Sequence, residues 1–413
     1  MPATTHSRGS GLAPLARGRA LLATGAGLAL AAGLAACGGN APAPAVAPPA
    51  VSEPVSLSTS IASPGATWAT LVMGGSAAAN DNFWQLFVRP AGEGTWRLVT
   101  PPGVADNGGL VMAAGGTVTV GFRPSIMLAF TPFTASSDNG QTWNSGNPIY
   151  GVLASVPGAL AADPGSGRLL ALLKNGVLRS GTLAGTNWTQ VASLGQLAKT
   201  PAGRQCGLIS LTGTGYTPSG VPLLAGACAR PGQVGLLADQ AGTWALTGPA
   251  LPGALAGQPV RVLALGRYPG TRAASGTAGL AVVLEVGPPE SASLVTIWSA
   301  DNAVHWQASA PHRLPAGARP TAISFGPAGL VAVVLAGGAS GAESGLAIAG
   351  AGTAWRALPK LPAGTETLAA GLDGSIQALA ADRSLFTVWQ AGPGGVWTRT
   401  QTMNIPIQYG SSG

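Results

Sequence analysis

Seven tryptophans, Trp96, Trp143, Trp188, Trp244, Trp306, Trp355 and Trp397, end similar stretches of chain, at successive spacings of 47, 45, 56, 62, 49 and 42 residues. Repetition at such a period constrains the fold strongly. Each repeat must be one supersecondary unit that buries its apolar face against the next. This period suits four short strands and their turns, the unit of a β-propeller blade.

The chain between the tryptophans has the matching texture. Residues 160–188 read as LAAD, PGSG, RLLALL, KNG, VLRSGTL and AGTNW, so apolar runs of strand length alternate with turn signals. Residues 322–355 and 366–397 repeat that order. No segment beyond the first 36 residues sustains a 3.6-residue apolar period, and Gly or Pro interrupts most Ala-rich runs. The expectation is an all-β, seven-bladed propeller over 55–409, with 410–413 as a tail. Val55–Ile61, Trp68–Met73 and Phe83–Val88 are expected strands of the first blade, and Met403–Tyr409 is expected to close the ring against it.

The segment before each tryptophan adds a motif. The sharpest copy runs Ser136, Ser137, Asp138, Asn139, Gly140, Gln141, Thr142, Trp143. A second runs from Ser299 through Asp301 to Trp306, with Ala303 and His305 in place of Gly and Thr, and Asp239 stands five residues before Trp244. GEGTW at 92–96, AGTNW at 184–188, GAGTAW at 350–355 and GPGGVW at 392–397 are eroded copies. The pattern suits a hairpin tip, where Asp accepts from following backbone N–H groups and Gly supplies positive φ. It resembles the Asp-box (BNR repeat) of sialidase-like propellers, Ser-x-Asp-x-Gly-x-Thr-Trp. In that family the boxes lie at the outer rim. The resemblance therefore implies structural roles for Ser136, Asp138, Gly140, Trp143, Asp239, Trp244, Ser299, Asp301 and Trp306.

It does not carry over an activity. Sialidases use three Arg to clamp a carboxylate, a Tyr–Glu nucleophile pair and an Asp acid/base. Their Phe-Arg-Ile-Pro motif is echoed only by Phe122-Arg123-Pro124, which lacks the Ile. Arg89, Arg97, Arg179, Arg356 and Arg399 fall toward the rim. Arg123, Arg168, Arg204, Arg261 and Arg267 fall nearer inner strands, with Glu285 and Tyr268 as their candidate companions. Glycoside hydrolysis needs two carboxyls flanking one bond. No such pair is marked, and these groups are not expected to meet in one pocket.

The N-terminus reads as an address. Residues 1–19 are polar and basic, 20–36 are apolar and small, and Leu34-Ala35-Ala36-Cys37-Gly38 follows. This is a secretory signal in form. Its end resembles a bacterial lipobox, a family in which the Cys is diacylated and the signal, here 1–36, is removed. An uncleaved anchor is the alternative, though seventeen weakly apolar residues are short for a span of about 20. Either way the domain is expected on the extracytoplasmic face of the cell membrane, and the lipobox reading anchors it through lipid on Cys37. Residues 37–54 are the lipidated Cys and a Pro/Ala-rich linker of extended character. In an oxidising compartment Cys206 and Cys228 are expected to pair, two buried thiols being the alternative. Cys206–Leu211 and Val221–Cys228 read as two strands of a hairpin symmetric about Thr217.

Composition excludes more than it assigns. Charged residues are 8% of the chain, and with Arg8, Arg17 and Arg19 in the leader the remainder holds 18 basic against 14 acidic residues, a net of +4. The cations are scattered without interleaved aromatics, so no nucleic-acid partner is expected. His305 and His312 lack ligand spacing, so no metal is expected. Gly337, Gly338 and Gly341 lie in no phosphate-loop context, and no cofactor is expected. The reading is a monomeric, lipid-anchored binding or scaffold module with an unknown protein or glycan ligand and no catalytic residues. The alternatives are a sialidase-like glycoside hydrolase and an assembly factor for a membrane complex.

Overall fold

The computed structural model describes residues 59–63, 65–74, 82–101, 110–114, 117–122, 130–150, 157–163, 165–185, 187–269, 278–338, 343–392 and 395–405. The fold is all-β, with seven blades in a ring forming a seven-bladed propeller. The blades are contiguous: 59–98, 110–150, 159–193, 208–246, 260–308, 319–357 and 365–404. In each, four antiparallel strands pair in chain order from the inner strand outward, and in blade 5 the short strand His312–Arg313 also pairs with Ser293–Ser299. The inner strands of blades 1 and 6 also touch in parallel at Ile61 and Phe325. In blades 4 to 7 the inner strand carries a bulge at Thr212, Leu263, Thr321 and Glu366. A repeated bulge adds twist at the same level of each strand.

The tryptophans explain the period. Each packs on the preceding blade. Trp143 joins Trp68, Leu86 and Val88 of blade 1. Trp188 stacks on Phe133 of blade 2 with ring centroids 5.1 Å apart. Trp244 lies with Leu170, Leu172 and Leu178 of blade 3. Trp306 donates its indole N–H to Thr247 O at 2.9 Å, at the end of blade 4. Trp355 packs on the core of blade 5, and Trp397 on that of blade 6. Trp96 completes the ring by packing on blade 7 beside Leu379 and Phe386.

Closure therefore uses side chains rather than a shared sheet. Phe87 and Phe386 stack with centroids 4.1 Å apart. Trp96 donates through Nε1 to Gln377 Oε1 at 2.8 Å, and its backbone exchanges two hydrogen bonds with the Gln401 amide. Gly74 N also donates to Arg383 O at 2.9 Å. The described part of the tail takes part in closure, since Met403 and Ile405 pack in one cluster with Leu71, Met73 and Phe87 of blade 1. Trp397–Asn404 is the outer strand of blade 7 and pairs with Leu385–Ala391. Residues 406–409 lie outside the described residues, as do Cys37, the linker and Val55 to Leu57.

The α-helical connector between blades 3 and 4 corrects the cysteine hairpin. Two short helices, α1 (Leu194–Leu197) and α2 (Pro201–Cys206), fill the connector between blades 3 and 4. Ser193 and Thr200 cap them through their hydroxyls, Pro201 suits the first turn, and Gly207 ends α2 at φ 66°. Cys206 thus ends a helix rather than starting a strand. The inner strand is Leu208–Tyr216, and Leu208, not Cys206, pairs with Cys228. The Cys206–Cys228 disulfide, with Cα atoms 5.2 Å apart, ties α2 to blade 4.

Candidate functional site

Chain direction sorts the loops onto two faces. In an antiparallel blade that starts inside, the first and third turns lie at one end, and the second turn and the inter-blade connector at the other. The hydrogen bond from Ser219 N in the first turn of blade 4 to Asn302 Oδ1 in the third turn of blade 5, 2.9 Å, joins two turns of one face.

The third turns include the two best motif copies. Ser136 Oγ–H donates to Asp138 Oδ1 at 2.7 Å and accepts from Gly140 N at 2.8 Å. Asp138 accepts from Thr142 N at 2.9 Å and from the Thr142 hydroxyl at 2.5 Å. The Thr142 hydroxyl first, then the Thr142 N–H and Ser136, pull the Asp138 carboxyl down to about 2. In the second copy Asp301 accepts from His305 N at 2.9 Å and meets His305 Nδ1 at 2.5 Å, while Ser299 Oγ accepts from Ala303 N at 3.0 Å. The His305 backbone and ring hold Asp301 near 2 as well. Asn302 and Ala303 carry φ of 63° and 67°, so Ala303 stands where glycine would be at ease. Asp239 differs. It lies in the ladder opposite Trp244, and its carboxylate accepts from Gly242 N at 2.7 Å across a two-residue turn. All three serve their own turns.

The first turns build something else. Five of seven inner strands end at, or one residue before, a residue followed by proline: Ser63, Asp163, Thr217, Tyr268 and Gly326. Proline presets φ for the turn, so these residues recur at one level around the ring. The layer holds a charged cluster across blades 3 and 4. Asp163 is 6% exposed. Gly165 N donates to it at 3.1 Å, and the Ser166 hydroxyl donates as well. Arg168 Nη2 lies 3.6 Å from Asp163 and donates to Gly220 O at 3.2 Å, with its guanidinium carbon 5.9 Å from the Tyr216 ring centroid. Burial would raise Asp163, but Ser166, Gly165 N–H and Arg168 outweigh it and hold the carboxyl below its usual value. Burial also pushes Tyr216 up to about 12. Arg267, on the inner strand of blade 5, has its pKa lowered by burial and partly restored by the Asp163 charge. Its Nε is buried and has no hydrogen-bond partner among the described residues.

The Arg set singled out in the sequence therefore divides. Arg261 donates through Nε to Glu285 Oε2 at 2.9 Å, its cross-strand partner. Those two groups do meet, contrary to expectation, because they are opposite each other in the ladder. Arg267 lies six residues further along that strand, about 20 Å away, at the other end of the blade. Arg204 lies on α2. Arg123 lies outside the described residues. Tyr268 is buried with its hydroxyl beside Gly279. Among the described residues no group of three His, Cys, Asp or Glu is placed to hold a metal, and no helix is long and apolar enough to cross a membrane. Sequence reasoning named Arg168 and Arg267 but missed Asp163. The residue-plus-proline turn repeated at the inner-strand ends was the signal that aligns them.

No family model and no curated protein sequence matches the chain. Among solved structures it is similar to the GH74 xyloglucanase from Xanthomonas campestris, at 14% identity and a TM-score of 0.52, over 83% of this chain and 52% of that one. It is similar also to a protein from Lactobacillus plantarum, at 12% identity and a TM-score of 0.50, over 82% and 97% respectively. The chain thus spans about half the length of the xyloglucanase. At these identities the likeness shows the propeller fold alone.

Proposed function

We propose that this propeller is a lipid-anchored binding module on the extracytoplasmic face of the membrane, held by Cys37 and the linker through 54. The basic leader, the short apolar stretch and Leu-Ala-Ala-Cys support the address. The turns of Asp138 and Asp301 support counting them as Asp-boxes with structural roles. Binding, rather than hydrolysis, rests on one observation: seven of the described carboxylates are engaged within the fold. Asp138, Asp239 and Asp301 hold turns, Asp163 holds Ser166 and Arg168, Asp373 holds Ser375, Glu93 meets Arg97, and Glu285 meets Arg261.

A general acid needs a raised pKa. Asp138, Asp163, Asp301 and Asp373 are all shifted down. Glu343 is the exception, raised by burial. It lies at the same end of its blade as Glu285, but no described contact joins the two. The test has two arms on the full chain. Cys37→Ser should leave an uncut precursor or release the domain from membranes, and unchanged processing and retention would refute the anchor. The purified protein should leave a fluorogenic sialoside intact, and cleavage abolished by Glu285→Gln would refute the non-catalytic role.

A further inference from the structure

We propose that the second-turn ends of blades 3 and 4, with the helical connector between them, form a basic surface that docks on anionic lipid headgroups of the membrane to which the chain is tethered. This deepens the lipid-anchored reading and rests on it.

Three observations carry the proposal. The first is charge without counter-charge. Residues 164–238 contain six Lys or Arg and no Asp or Glu. Arg168 is spent on Asp163 at the other face, and Arg179 lies within the third strand of blade 3. The remaining four are Lys174 in the second turn of blade 3, Lys199 and Arg204 in the helical connector, and Arg230 in the second turn of blade 4. All four are exposed, and among the described residues none pairs with a carboxylate.

The second is that the fold holds these four segments together. Leu194 N, at the start of α1, donates to Gly176 O in the second turn of blade 3 at 2.9 Å. At the end of α2, Arg230 N donates to Cys206 O at 3.2 Å and Ala229 N to Gly207 O at 2.7 Å. The Cys206–Cys228 disulfide fastens the same junction. The Arg204 guanidinium donates to Lys199 O, so those two cations share one turn of chain. Val191 and Ile209, 41% and 44% exposed, stand at the connector-face ends of the outer strand of blade 3 and the inner strand of blade 4. Cations flanked by exposed aliphatic side chains suit a headgroup layer, where charge meets phosphate and the aliphatics reach beneath it.

The third is where the tether enters. Inner strands start at the connector face, so the chain from Cys37 reaches the described fold at Thr59 on that same face. Residues 38–58 can span at most about 70 Å. A tether of that reach keeps even a weak surface at high local concentration over the bilayer. Docking there turns the Asp-box face outward.

The test places the full processed chain in nanodiscs of phosphatidylglycerol or of phosphatidylcholine and measures acetylation rates by mass spectrometry. Lys174, Lys199 and Lys360 are the chain's three lysines. Lys360, exposed in the connector between blades 6 and 7, lies nearly opposite in the ring and serves as the internal control. Lys174 and Lys199 should react about tenfold or more slowly in phosphatidylglycerol, at about fivefold for each Lys or Arg near an anionic surface. The protection should fade as salt rises from about 0.05 to 0.5 M, and Lys360 should react alike in both discs. Replacing Arg204 and Arg230 together by Gln should weaken docking about 25-fold and remove the protection. Replacing both by Lys keeps the charge and should keep it, which separates lost charge from a damaged fold. Equal rates in both discs, equal protection of Lys360, indifference to salt or to the Gln pair, or equal protection by soluble polyglutamate would overturn the proposal. Such a failure in a chain retained by phosphatidylcholine discs leaves the anchor standing. A chain that phosphatidylcholine discs do not retain removes the anchor, and phosphatidylglycerol vesicles added to it still read the surface.

Discussion

Replacing Trp96 by Phe probes how the ring closes. Trp96 is 1% exposed and links blade 1 to blade 7 through Nε1–H to Gln377 Oε1 at 2.8 Å. Gln377 is itself 2% exposed, so losing the indole strands its carbonyl away from water. That costs about 1–3 kcal/mol, and the smaller ring forfeits about 1 kcal/mol of burial beside Phe87 and Phe386. The expected loss is about 2–4 kcal/mol. Trp355→Phe is the matched control, because the Trp355 indole N–H is buried with no partner among the described residues. Removing it relieves an unmet donor, which offsets the lost packing, so the change should lie within about 1 kcal/mol of zero. Urea unfolding of the full processed chain, followed by far-UV circular dichroism, compares the two. Gln377→Leu should recover part of the Trp96→Phe loss by removing the stranded acceptor. Equal losses for Trp96→Phe and Trp355→Phe, or no recovery with Gln377→Leu, would refute this account of closure.

Reducing the Cys206–Cys228 bond, which closes 22 residues of sequence separation, should lower stability by about 3 kcal/mol on the chain-entropy model, read as a lower urea midpoint with reductant. The Asp138 carboxyl, held at about 2 in the fold against about 3.9 when unfolded, stabilises its turn above about pH 4 and loses that contribution as pH falls through 2. The Thr142 amide resonance should therefore titrate near 2, and a midpoint near the unfolded value would contradict the turn geometry. Gly266→Ala should destabilise by about 1–3 kcal/mol, because the added methyl meets the Phe325 ring at 2.3 Å; an unchanged melting temperature would show that the inner strands are not packed as described.

Legibility in the sequence followed the range of the interaction. The blade period was readable because every blade repeats one demand, a tryptophan laid on its predecessor, and repetition survives the erosion of single boxes. The turns of Asp138 and Asp301 were readable because all their partners lie within four residues. Cys206 was misplaced because Ser193, Thr200 and Pro201 start short helices whose sequence has no apolar period to notice, and the disulfide holds a helix end rather than a hairpin. The part of Trp96 in ring closure was not legible because Trp96 and Gln377 are 281 residues apart and no local pattern links them. The Asp163 cluster was hidden for the same reason, since its residues come from two blades.

The central claim is binding without hydrolysis, and one experiment reads both on the same sample. The purified full chain is incubated with polygalacturonate, a polymer with one carboxylate per sugar, and retained polymer and new reducing ends are measured together. Retention of the polymer with no new reducing ends is the expected result. Release of reducing ends that Glu285→Gln or Glu343→Gln abolishes would contradict it.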